Sequence, residues 1–330
     1  MNILQAGVPK SGNYWLYSII RNILQEAGEE HHSYIQQHPV QAQADKWQLS
    51  FAGQAQMDFL SIERGKCYCR ISEVFREKID DIDSYINQCS QVWTHSPIDT
   101  AALEILAKFD KIVYIIRDPR DVAISYSKFA FTEHKLKNGS PHYESDPQSY
   151  LENRLEAMTR RWVQHVGSYL KYQTELNIHA IFYECWLHDF DHELVKLLDY
   201  LEIELSENAI ANIKHNVAFK TMKQQSPKHL RSGSSGQWQE KLSDGQKQRV
   251  DKIAGSMLEL LSYPPASPDL PKIGKFSSQA VEQAVVASRY SALDRVERLL
   301  NFVNSKRTVS AKVNLIKDWL FGKFKRLVRA

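Results

Sequence analysis

Short apolar runs and longer amphipathic stretches alternate along most of the chain. The apolar runs predict strands near residues 2–6, 66–71, 91–94, 111–116 and 178–183. Stretches in which apolar residues recur every three or four positions predict helices near residues 13–28, 100–109, 119–131 and 150–174. Strands that alternate with helices in this way are typical of a parallel sheet flanked by helices, so we expect an α/β fold.

A proline-rich segment from Tyr263 to Pro271 interrupts this pattern. It predicts a boundary between a domain of residues 1–262 and a tail of residues 263–330. Beyond it, apolar residues at helical spacing predict a helix that packs on the domain or on a partner; they are Val281, Ala284, Val285, Leu293, Val296, Leu299, Leu300 and Val303. We therefore expect the domain to carry a helical C-terminal extension.

Basic residues are concentrated at the end of this tail. The chain of 330 residues has a formal net charge of +3, yet residues 306–330 contain eight Lys or Arg and a single acidic residue, Asp318. Apolar residues alternate with these cations, which predicts an amphipathic helix on an anionic membrane surface. A helix docked on its own protein is an equally weighted alternative. Nucleic-acid binding is a poorer one, because no recognised binding module accompanies the charge.

The four cysteines, Cys67, Cys69, Cys89 and Cys185, form no C-x-x-C pair and no framework of the secreted type. We expect reduced thiols, with Cys67 and Cys69 on one face of a core strand rather than in a zinc site. The first strand begins almost at the first residue, which leaves no room for a secretory signal, and no apolar run reaches membrane-spanning length. A cytoplasmic location is therefore expected.

The segment Gly7-Val-Pro-Lys-Ser-Gly-Asn-Tyr-Trp15 joins the first predicted strand to the first helix. Unpaired amides at a helix start and the helix dipole favour anions, and Lys10 adds a full positive charge. Gly12 permits a tight turn, while Ser11 and Asn13 supply short polar groups. The segment therefore predicts a phosphate-binding loop, although Lys10 precedes Gly12, unlike in nucleoside triphosphatases. The alternative is an ordinary turn with a surface lysine.

A second charged turn follows the predicted strand near residues 111–116. Arg117 comes at the carboxyl end of this strand, and Asp118 can cap the next helix. Ser125 lies about two helical turns further on. Ligands of open α/β sheets bind at the carboxyl ends of strands, so this arginine and the lysine of the first loop are expected to meet in one crevice. An ion pair of Arg117 with Asp118 or Asp121 is the alternative.

Together, these two segments resemble the two co-substrate signatures of the cytosolic-type sulfotransferases, which use 3'-phosphoadenosine-5'-phosphosulfate (PAPS). The resemblance continues in the family's order through Thr94-His95-Ser96-Pro97, Phe182-Tyr183-Glu184, Ala218–Lys223 and Arg231–Trp238, and it covers roughly residues 1–262. It implies a P-loop-type three-layer α/β fold with a central parallel sheet flanked by helices. It also implies in-line transfer of a sulfuryl group from PAPS to a hydroxyl or amine, without a metal.

The resemblance implies a role for each matched residue. His95 would be the general base, Lys10 would stabilise the leaving group, and Ser125 would hold the 3'-phosphate with Arg117. The expected catalytic residues are His95, Lys10 and Ser125. The residues implied in binding PAPS are Lys10, Ser11, Gly12, Asn13, Tyr14, Trp15, Arg117, Ser125, Tyr183, Phe219, Met222, Arg231, Ser232 and Gly233. Among them, Trp15, Tyr183 and Phe219 would surround the adenine.

Several positions depart from the family pattern and keep other functions open. The departures are Asn13 and Tyr14 for threonines, Trp93 and Ser232 for lysines, and Gln237 for an aspartate. Tyr14, Trp93 and Ser232 motivate one alternative, a non-catalytic nucleotide-binding or scaffold protein. A P-loop kinase-like phosphotransferase is the other alternative, which the displaced lysine and the missing magnesium ligands oppose.

Acceptor specificity is expected to reside in the divergent stretches 31–60 and 132–150, which match no motif. The second stretch is long and polar enough to form a lid, in which His134, His142 and Tyr143 would touch the acceptor; a mobile surface excursion is the alternative. A small-molecule alcohol, phenol or amine is the expected acceptor. A homodimer and peripheral membrane contact through the basic tail are further partner predictions, and no nucleic acid is expected.

Overall fold

The computed structural model describes residues 1–139, 142–225, 233–263, 270–272 and 277–289. The strands in these ranges are β1 (Ile3–Gly7), β2 (Phe59–Glu63), β3 (Lys66–Ile71), β4 (Phe75–Ile79), β5 (Gln91–Thr94), β6 (Lys111–Ile116) and β7 (Ile178–Phe182). The helices are α1 (Asn13–Glu26), α2 (Tyr34–Gln37), α3 (Ile82–Asn87), α4 (Thr100–Leu106), α5 (Pro119–Ala130), α6 (Glu133–Asn138), α7 (Pro147–Lys171), α8 (Tyr183–His188), α9 (Phe190–Leu201), α10 (Glu207–Val217), α11 (Phe219–Gln225), α12 (Trp238–Lys241), α13 (Asp244–Leu260) and α14 (Ser278–Ala287). All the predicted strands and helices of the domain are present close to their expected bounds.

These strands form one mixed sheet in the order β4-β3-β2-β5-β1-β6-β7. The five strands from β2 to β7 in this order run parallel, as the sequence predicts. β3 pairs antiparallel with β2, and β4 pairs antiparallel with β3. The sheet therefore ends in a hairpin that sequence analysis did not predict. The residues of β4 are mostly exposed, and an antiparallel edge strand that faces water needs no apolar run.

Helices cover both faces of the sheet and produce three layers. On one face, α1, α9 and α10 pack in a core with Ile3 of β1 and Val113 of β6. On the other face, α4, α5, α7 and α13 pack in a core with Leu4 and Tyr114 of the same strands. Adjacent residues of the central strands thus point into different cores, which explains why these strands are almost wholly apolar. The arrangement agrees with the predicted P-loop-type α/β fold.

Two helices begin at the edge of the sheet where the central parallel strands end. α1 starts directly after Gly12, whose φ of +97° allows the chain to turn sharply after β1. α5 starts at Pro119, and the Asp118 carboxylate caps it by accepting the Arg120 amide at 2.9 Å. Both helices follow the carboxyl end of a strand, so their N-terminal amides lie at the same edge of the sheet.

The C-terminal extension is described over α14. Val281 and Ala284 of this helix are buried, and a Cβ atom on Gly167 of α7 would overlap Val285. This part of the predicted helix therefore packs on the domain, and one compact unit spans Met1–Ser288. The apolar positions from 293 to 303 and the basic residues 306–330 lie outside the described residues.

All four cysteines are free thiols, as expected from their spacing. Cys67 and Cys69 are buried in one core cluster beneath β3, which agrees with the predicted packing role. Burial raises the pKa of the Cys69 thiol to about 12, so this group is a protonated packing residue at neutral pH. No helix of the described residues is both long and apolar enough to cross a membrane.

Candidate active site

A cavity of about 460 Å³ opens where the loops after β1, β5, β6 and β7 meet. This is the edge of the sheet at which ligands of α/β proteins bind. Most of the residues predicted for the site line it: Lys10, Gly12, Asn13, Tyr14, Trp15, His95, Arg117, Ser125, Tyr183, Phe219, Met222 and Gly233. Ser11 is fully buried and does not line the cavity. Arg231 and Ser232 lie outside the described residues.

The loop after β1 is held in an unusual backbone conformation. Lys10 has a φ of +76° and Gly12 a φ of +97°, both in the left-handed region. A Cβ atom at Gly12 would lie 2.5 Å from Tyr183 Cδ2, so the ring of Tyr183 packs directly on the loop backbone. The Ser11 hydroxyl oxygen is buried without a hydrogen-bond partner. The loop thus offers the first amides of α1 to a ligand.

Asn13 and Tyr14 occupy the two positions where the sulfotransferases usually have threonines. The Asn13 side-chain amide donates to Val8 O at 2.8 Å and so belongs to the scaffold of the loop. The Tyr14 ring packs on Phe51, with 4.6 Å between the ring centroids. Tyr14 therefore extends the loop with an aromatic wall toward Phe51.

Arg117 connects the phosphate loop to the segment around residue 234. Its Nη1 donates to Lys10 O at 3.1 Å, and its Nη2 donates to Ser234 O at 2.9 Å. The guanidinium lies 4.3 Å from the centroid of the Tyr183 ring, whose face attracts a cation. Its Nε is buried and has no hydrogen-bond partner. The fork is therefore fixed in place by hydrogen bonds to neutral groups, and the carboxylates of Asp121 and Glu184 lie near enough to interact with its charge.

Neither aspartate next to Arg117 in sequence forms an ion pair with it among the described residues. Asp118 pairs instead with Arg120, with 2.7 Å between the carboxylate and Nη2. Asp121 accepts the amides of Gly236 at 2.6 Å and Trp238 at 3.0 Å. The ion-pair alternative for Arg117 is therefore not realised, and Asp121 instead anchors the late loop to α5.

Aromatic side chains surround another part of the cavity. Trp15 meets Tyr183 edge to face at 5.7 Å, and its indole N–H donates to Val217 O at 3.0 Å. Phe219 is 41% exposed and its ring lies against Gly233, where any Cβ atom would overlap it. Met222, Trp15, Tyr183 and Phe219 all line the cavity. The predicted adenine residues are thus brought together at one part of the cavity.

His95 follows β5 and its imidazole is fixed in one tautomer. Its Nδ1 lies 2.5 Å from Gly7 O, and since a carbonyl only accepts, Nδ1 carries the proton and donates. Nε2 is then the unprotonated, basic nitrogen. Burial, together with the charge of nearby Lys10, lowers the pKa of His95 to about 3. The histidine is therefore neutral, with Nε2 unprotonated, across the physiological pH range.

A second histidine, the buried His165, holds the main-chain oxygen of His95 by a hydrogen bond. His165 Nε2 lies 3.2 Å from His95 O, and the Tyr114 hydroxyl lies 2.9 Å from His165 Nδ1. Because His95 O only accepts, Nε2 of His165 donates to it and Nδ1 accepts from the tyrosine. Burial lowers the pKa of His165 to about 4, so this chain of hydrogen bonds persists at neutral pH.

The rest of the cavity wall comes from strands β2, β3 and β5, from helices α5 and α6, and from the loops near them. Phe51, Met57, Phe59, Ser61, Arg70, Ser72, Glu73, Trp93, Phe129 and Lys135 line it. The Trp93 ring lies 5.4 Å from the His95 ring, at the position where the family often has a lysine. Both divergent stretches contribute to the cavity. Stretch 132–150 supplies Lys135, and stretch 31–60 supplies Ser50, Phe51, Gln54, Met57 and Phe59. No local motif signals these residues. The pairing of β2 with β3 and β5 brings together those on the strands, and the tertiary fold adds those on loops and on α5 and α6.

The histidines predicted to touch the acceptor serve structural contacts instead. His134 bonds to Glu73 at 3.1 Å and lies 2.7 Å from Gln48 O through its other nitrogen. His142 packs on Phe131, with 4.6 Å between ring centroids. Neither histidine lines the cavity, and nor does Tyr143, which is 58% exposed. The stretch contains α6 and reaches the cavity through Lys135.

Comparison with known proteins relates this chain to one family. A model of the Sulfotransferase domain matches residues 2–262. Sulfotransferase 1A1 of Rattus norvegicus is 26% identical over 175 residues, which cover 48% of this chain and 59% of that protein. Amine sulfotransferase of Oryctolagus cuniculus is 25% identical over 178 residues, covering 48% of this chain and 58% of that protein. The chain thus spans less than two thirds of the length of these relatives.

Two solved structures share the fold. Mouse sulfotransferase SULT7A1 complexed with PAP has a TM-score of 0.52 at 20% identity, covering 78% of this chain and 83% of that chain. Retinol dehydratase in a complex with retinol and PAP has a TM-score of 0.51 at 16% identity, covering 78% of this chain and 81% of that chain. At these identities the likeness establishes the α/β architecture alone.

Proposed function

Because this chain belongs to the sulfotransferase domain family, we propose that it transfers a sulfuryl group from PAPS to a hydroxyl or amine of a small-molecule acceptor. The observation that carries this proposal is the convergence of Lys10, Arg117 and His95 on one cavity. The two cations and the amides at the start of α1 favour the phosphates of the donor. The histidine is suited to take a proton from the acceptor.

The polar groups of the cavity fit the phosphates of PAPS. Arg117 lines the cavity, and its Nε is buried without a hydrogen-bond partner, so this N–H is available to donate to a phosphate oxygen. We assign the 5'-side phosphosulfate to the loop that contains Lys10, and the 3'-phosphate to Arg117 and Ser125. Ser125 is buried on α5 and lines the cavity. Arg231, Ser232 and Gly233 remain the predicted closure over the 3'-phosphate.

The aromatic part of the cavity fits the adenine. Trp15, Tyr183 and Phe219 present ring faces and edges, and Met222 adds an adaptable apolar contact. Stacking of a base on such rings contributes about 1–3 kcal/mol per base. The presence of PAP, the desulfated product 3'-phosphoadenosine-5'-phosphate, in both similar structures supports the same assignment here.

In the proposed reaction, the acceptor oxygen or nitrogen bonds to sulfur as the bond between sulfur and the phosphate oxygen breaks. His95 Nε2 takes the proton that the acceptor loses. Lys10 offsets the negative charge that develops on the departing phosphate oxygen, while Ser125 and Arg117 hold the nucleotide in line. The proposal includes no metal, since the lysine, the arginine and the loop amides supply the positive charge.

Calorimetric titration with PAP tests the proposal. We expect tight binding to the full chain, and at least a tenfold loss of affinity in Lys10→Ala and in Arg117→Ala, because each removes a charged hydrogen-bonding group. Lys78→Ala, which removes an exposed and paired lysine of β4, is the matched control and should bind PAP as the wild type does. Preference for ATP, with turnover in the presence of magnesium, would indicate the kinase-like alternative, and no binding of either nucleotide would reject both.

A non-catalytic nucleotide-binding protein is the second candidate. It is favoured by the Trp93 ring, which stands beside His95 where a cation is frequent in the family. This candidate predicts PAP binding without transfer to any hydroxyl or amine. A screen of alcohols, phenols and amines with radiolabelled PAPS separates the two, because product formation with any acceptor rejects it.

We further propose a cytoplasmic enzyme with peripheral membrane contact through residues 306–330, which lie outside the described residues. The support is their excess of Lys and Arg over Asp318. Deletion of 306–330 should then abolish co-sedimentation with vesicles that contain phosphatidylserine, while neutral phosphatidylcholine vesicles serve as control. We also propose a homodimer. Sedimentation equilibrium of the full chain and of the 306–330 deletion tests this by measuring the mass of each in solution.

A further inference from the structure

Two cations of the cavity, Arg70 and Lys135, are not used by the chemistry proposed above. We propose that Arg70 binds an anionic oxygen group of the acceptor, so that the acceptor is a hydroxyl or amino compound that already carries a carboxylate or a phosphate or sulfate monoester. This inference rests on the proposed function and names the substrate class for the same cavity.

Arg70 is held by neutral groups and keeps its charge unbalanced. It lies on β3 and lines the cavity. Its Nη1 donates to Ser61 Oγ at 3.2 Å, and its Nη2 donates to Ser72 O at 3.0 Å. No carboxylate among the described residues forms an ion pair with it. A guanidinium carries five N–H donors in a planar fork, so these two bonds fix the fork and leave donors for a planar or tetrahedral anion.

The fold itself gains little from this charge. Arg76 lies directly opposite Arg70 in the β3–β4 register, and like charges in that position destabilise a sheet. The charge of Arg76 is balanced by Glu63 at 2.8 Å, whereas Arg70 has no such partner. A cation that the neighbouring strand opposes, and that no carboxylate balances, is expected to serve a ligand rather than the sheet.

The other charged groups of this wall are already paired. Burial alone would raise the pKa of Glu73, but hydrogen bonds from His134, Lys135 and Ser72 overcome this effect and hold the pKa well below its usual range. Glu73 is therefore a permanent carboxylate, and it forms an ion pair with Lys135. The charge of Lys135 is thus neutralised within the protein, and Arg70 remains the unbalanced cation on this side of the cavity.

The order of the strands places Arg70 on the far side of His95 from the phosphate loop. The loop follows β1, His95 follows the neighbouring β5, and Arg70 lies on β3, two strands beyond β5. Since neighbouring strands are about 4.8 Å apart, the strand of Arg70 runs about 10 Å from that of His95. Phe59 and Trp93 line the cavity between them. An acceptor with an aromatic or hydrocarbon framework fits this space, with its nucleophile at His95 and its anion at Arg70.

Binding of matched phenols to the PAP-saturated full chain tests this proposal. The anionic probes are 3-(4-hydroxyphenyl)propionate, 4-hydroxyphenyl phosphate and 4-hydroxyphenyl sulfate; the neutral ones are the methyl ester of the first and 4-methoxyphenol. We expect at least one anionic probe to bind the wild type about tenfold more tightly than its neutral counterpart. The probe with the highest affinity then identifies which anion the site accepts.

Substitutions assign the selectivity to one side chain. In Arg70→Met and Arg70→Gln, the affinity ratio should fall to about threefold or less, whereas Arg76→Met, a matched loss of a strand arginine outside the cavity, should retain it. PAP affinity, measured first on every variant, reports that the donor site and the fold are intact. Equal or higher affinity for the neutral probes, no binding of any probe, or selectivity that survives both Arg70 variants would overturn the proposal. Failure of the wild type to bind PAP would instead reject the proposed function on which it rests.

Discussion

Among single residues, His95 shows most directly how the backbone prepares a side chain for chemistry. The Nδ1–H of His95 donates a hydrogen bond to Gly7 O, with 2.5 Å between the two atoms, and Nε2 is then the unprotonated nitrogen. His165 holds the backbone oxygen of His95 from the buried side at 3.2 Å. The orientation and the tautomer are therefore both set before a substrate arrives, which is the usual condition for efficient proton transfer.

Replacement of His95 tests its assignment as the base. We expect His95→Ala to lower kcat by at least about 100-fold, because general base catalysis typically contributes a factor of 10²–10⁴. PAP affinity should change by less than about threefold, since the phosphates are assigned to other residues. The two measurements are initial rates with an acceptor that the wild-type protein sulfates, and calorimetric titration with PAP. An unchanged rate would remove His95 from the mechanism.

The pH dependence provides a separate test of the same residue. Protonated imidazole cannot accept a proton, so activity is lost as the pH falls through the pKa of the base. Burial lowers the pKa of His95 to about 3, and therefore log(kcat/KM) should show no His95-dependent decrease between pH 8 and pH 5. A tenfold loss per pH unit that begins near pH 6.5 would show instead that the histidine titrates like an exposed one.

At the scale of elements, the turn between β1 and α1 depends on a glycine for two reasons. Gly12 needs a left-handed φ of +97°, and a Cβ atom there would lie 2.5 Å from Tyr183 Cδ2. Gly28 has a φ of +75° but open space around its Cβ position. The two glycines therefore separate the backbone effect from the steric effect.

We expect Gly28→Ala to lower the free energy of unfolding by about 1 kcal/mol, the usual effect of a left-handed non-glycine residue. Gly12→Ala should lower it further, by about 2–4 kcal/mol, because the methyl group displaces Tyr183 or the loop. Only Gly12→Ala should weaken PAP binding, since it moves the phosphate loop. Urea unfolding and PAP titration measure both quantities, and equal effects of the two substitutions would contradict the steric argument.

The elements that the sequence predicted are those with strong apolar periodicity. β1 and β6 are buried on both faces, so their apolar runs and the charged turns after them are visible without a structure. β4 escaped prediction because its residues are mostly exposed and show no apolar run. β2 is mostly buried, but Ser61 and Glu63 interrupt its short apolar run. The donor half of the site was therefore predictable from local motifs, whereas Arg70 reaches the cavity only through strand pairing, which no local pattern encodes.

At the scale of the whole molecule, the compact unit extends beyond the part that matches the family. α14 packs on α7 and α13, with Val281 1% exposed and Ser288 fully buried. Arg160 of α7 also donates to Ser288 O. This helix therefore covers apolar surface of the domain that would otherwise face water.

Substitutions on two faces of α14 test this packing. Val281→Ala should lower the free energy of unfolding by about 1–3 kcal/mol through lost burial and the cavity left behind. Val286→Ala is the control, because Val286 is 55% exposed, and its effect should lie within about 0.5 kcal/mol. Thermal unfolding of both variants decides the matter, and equal midpoints would mean that the helix does not contribute to the core.

The β3–β4 hairpin is joined to the remainder of the sheet only through β2. The phosphate loop and His95 belong to β1 and β5, on the other side of that strand. The hairpin is therefore one strand removed from the groups assigned to the nucleotide. Under the proposed function, a change in its length or charges should alter which acceptors bind and leave the affinity for PAP unchanged.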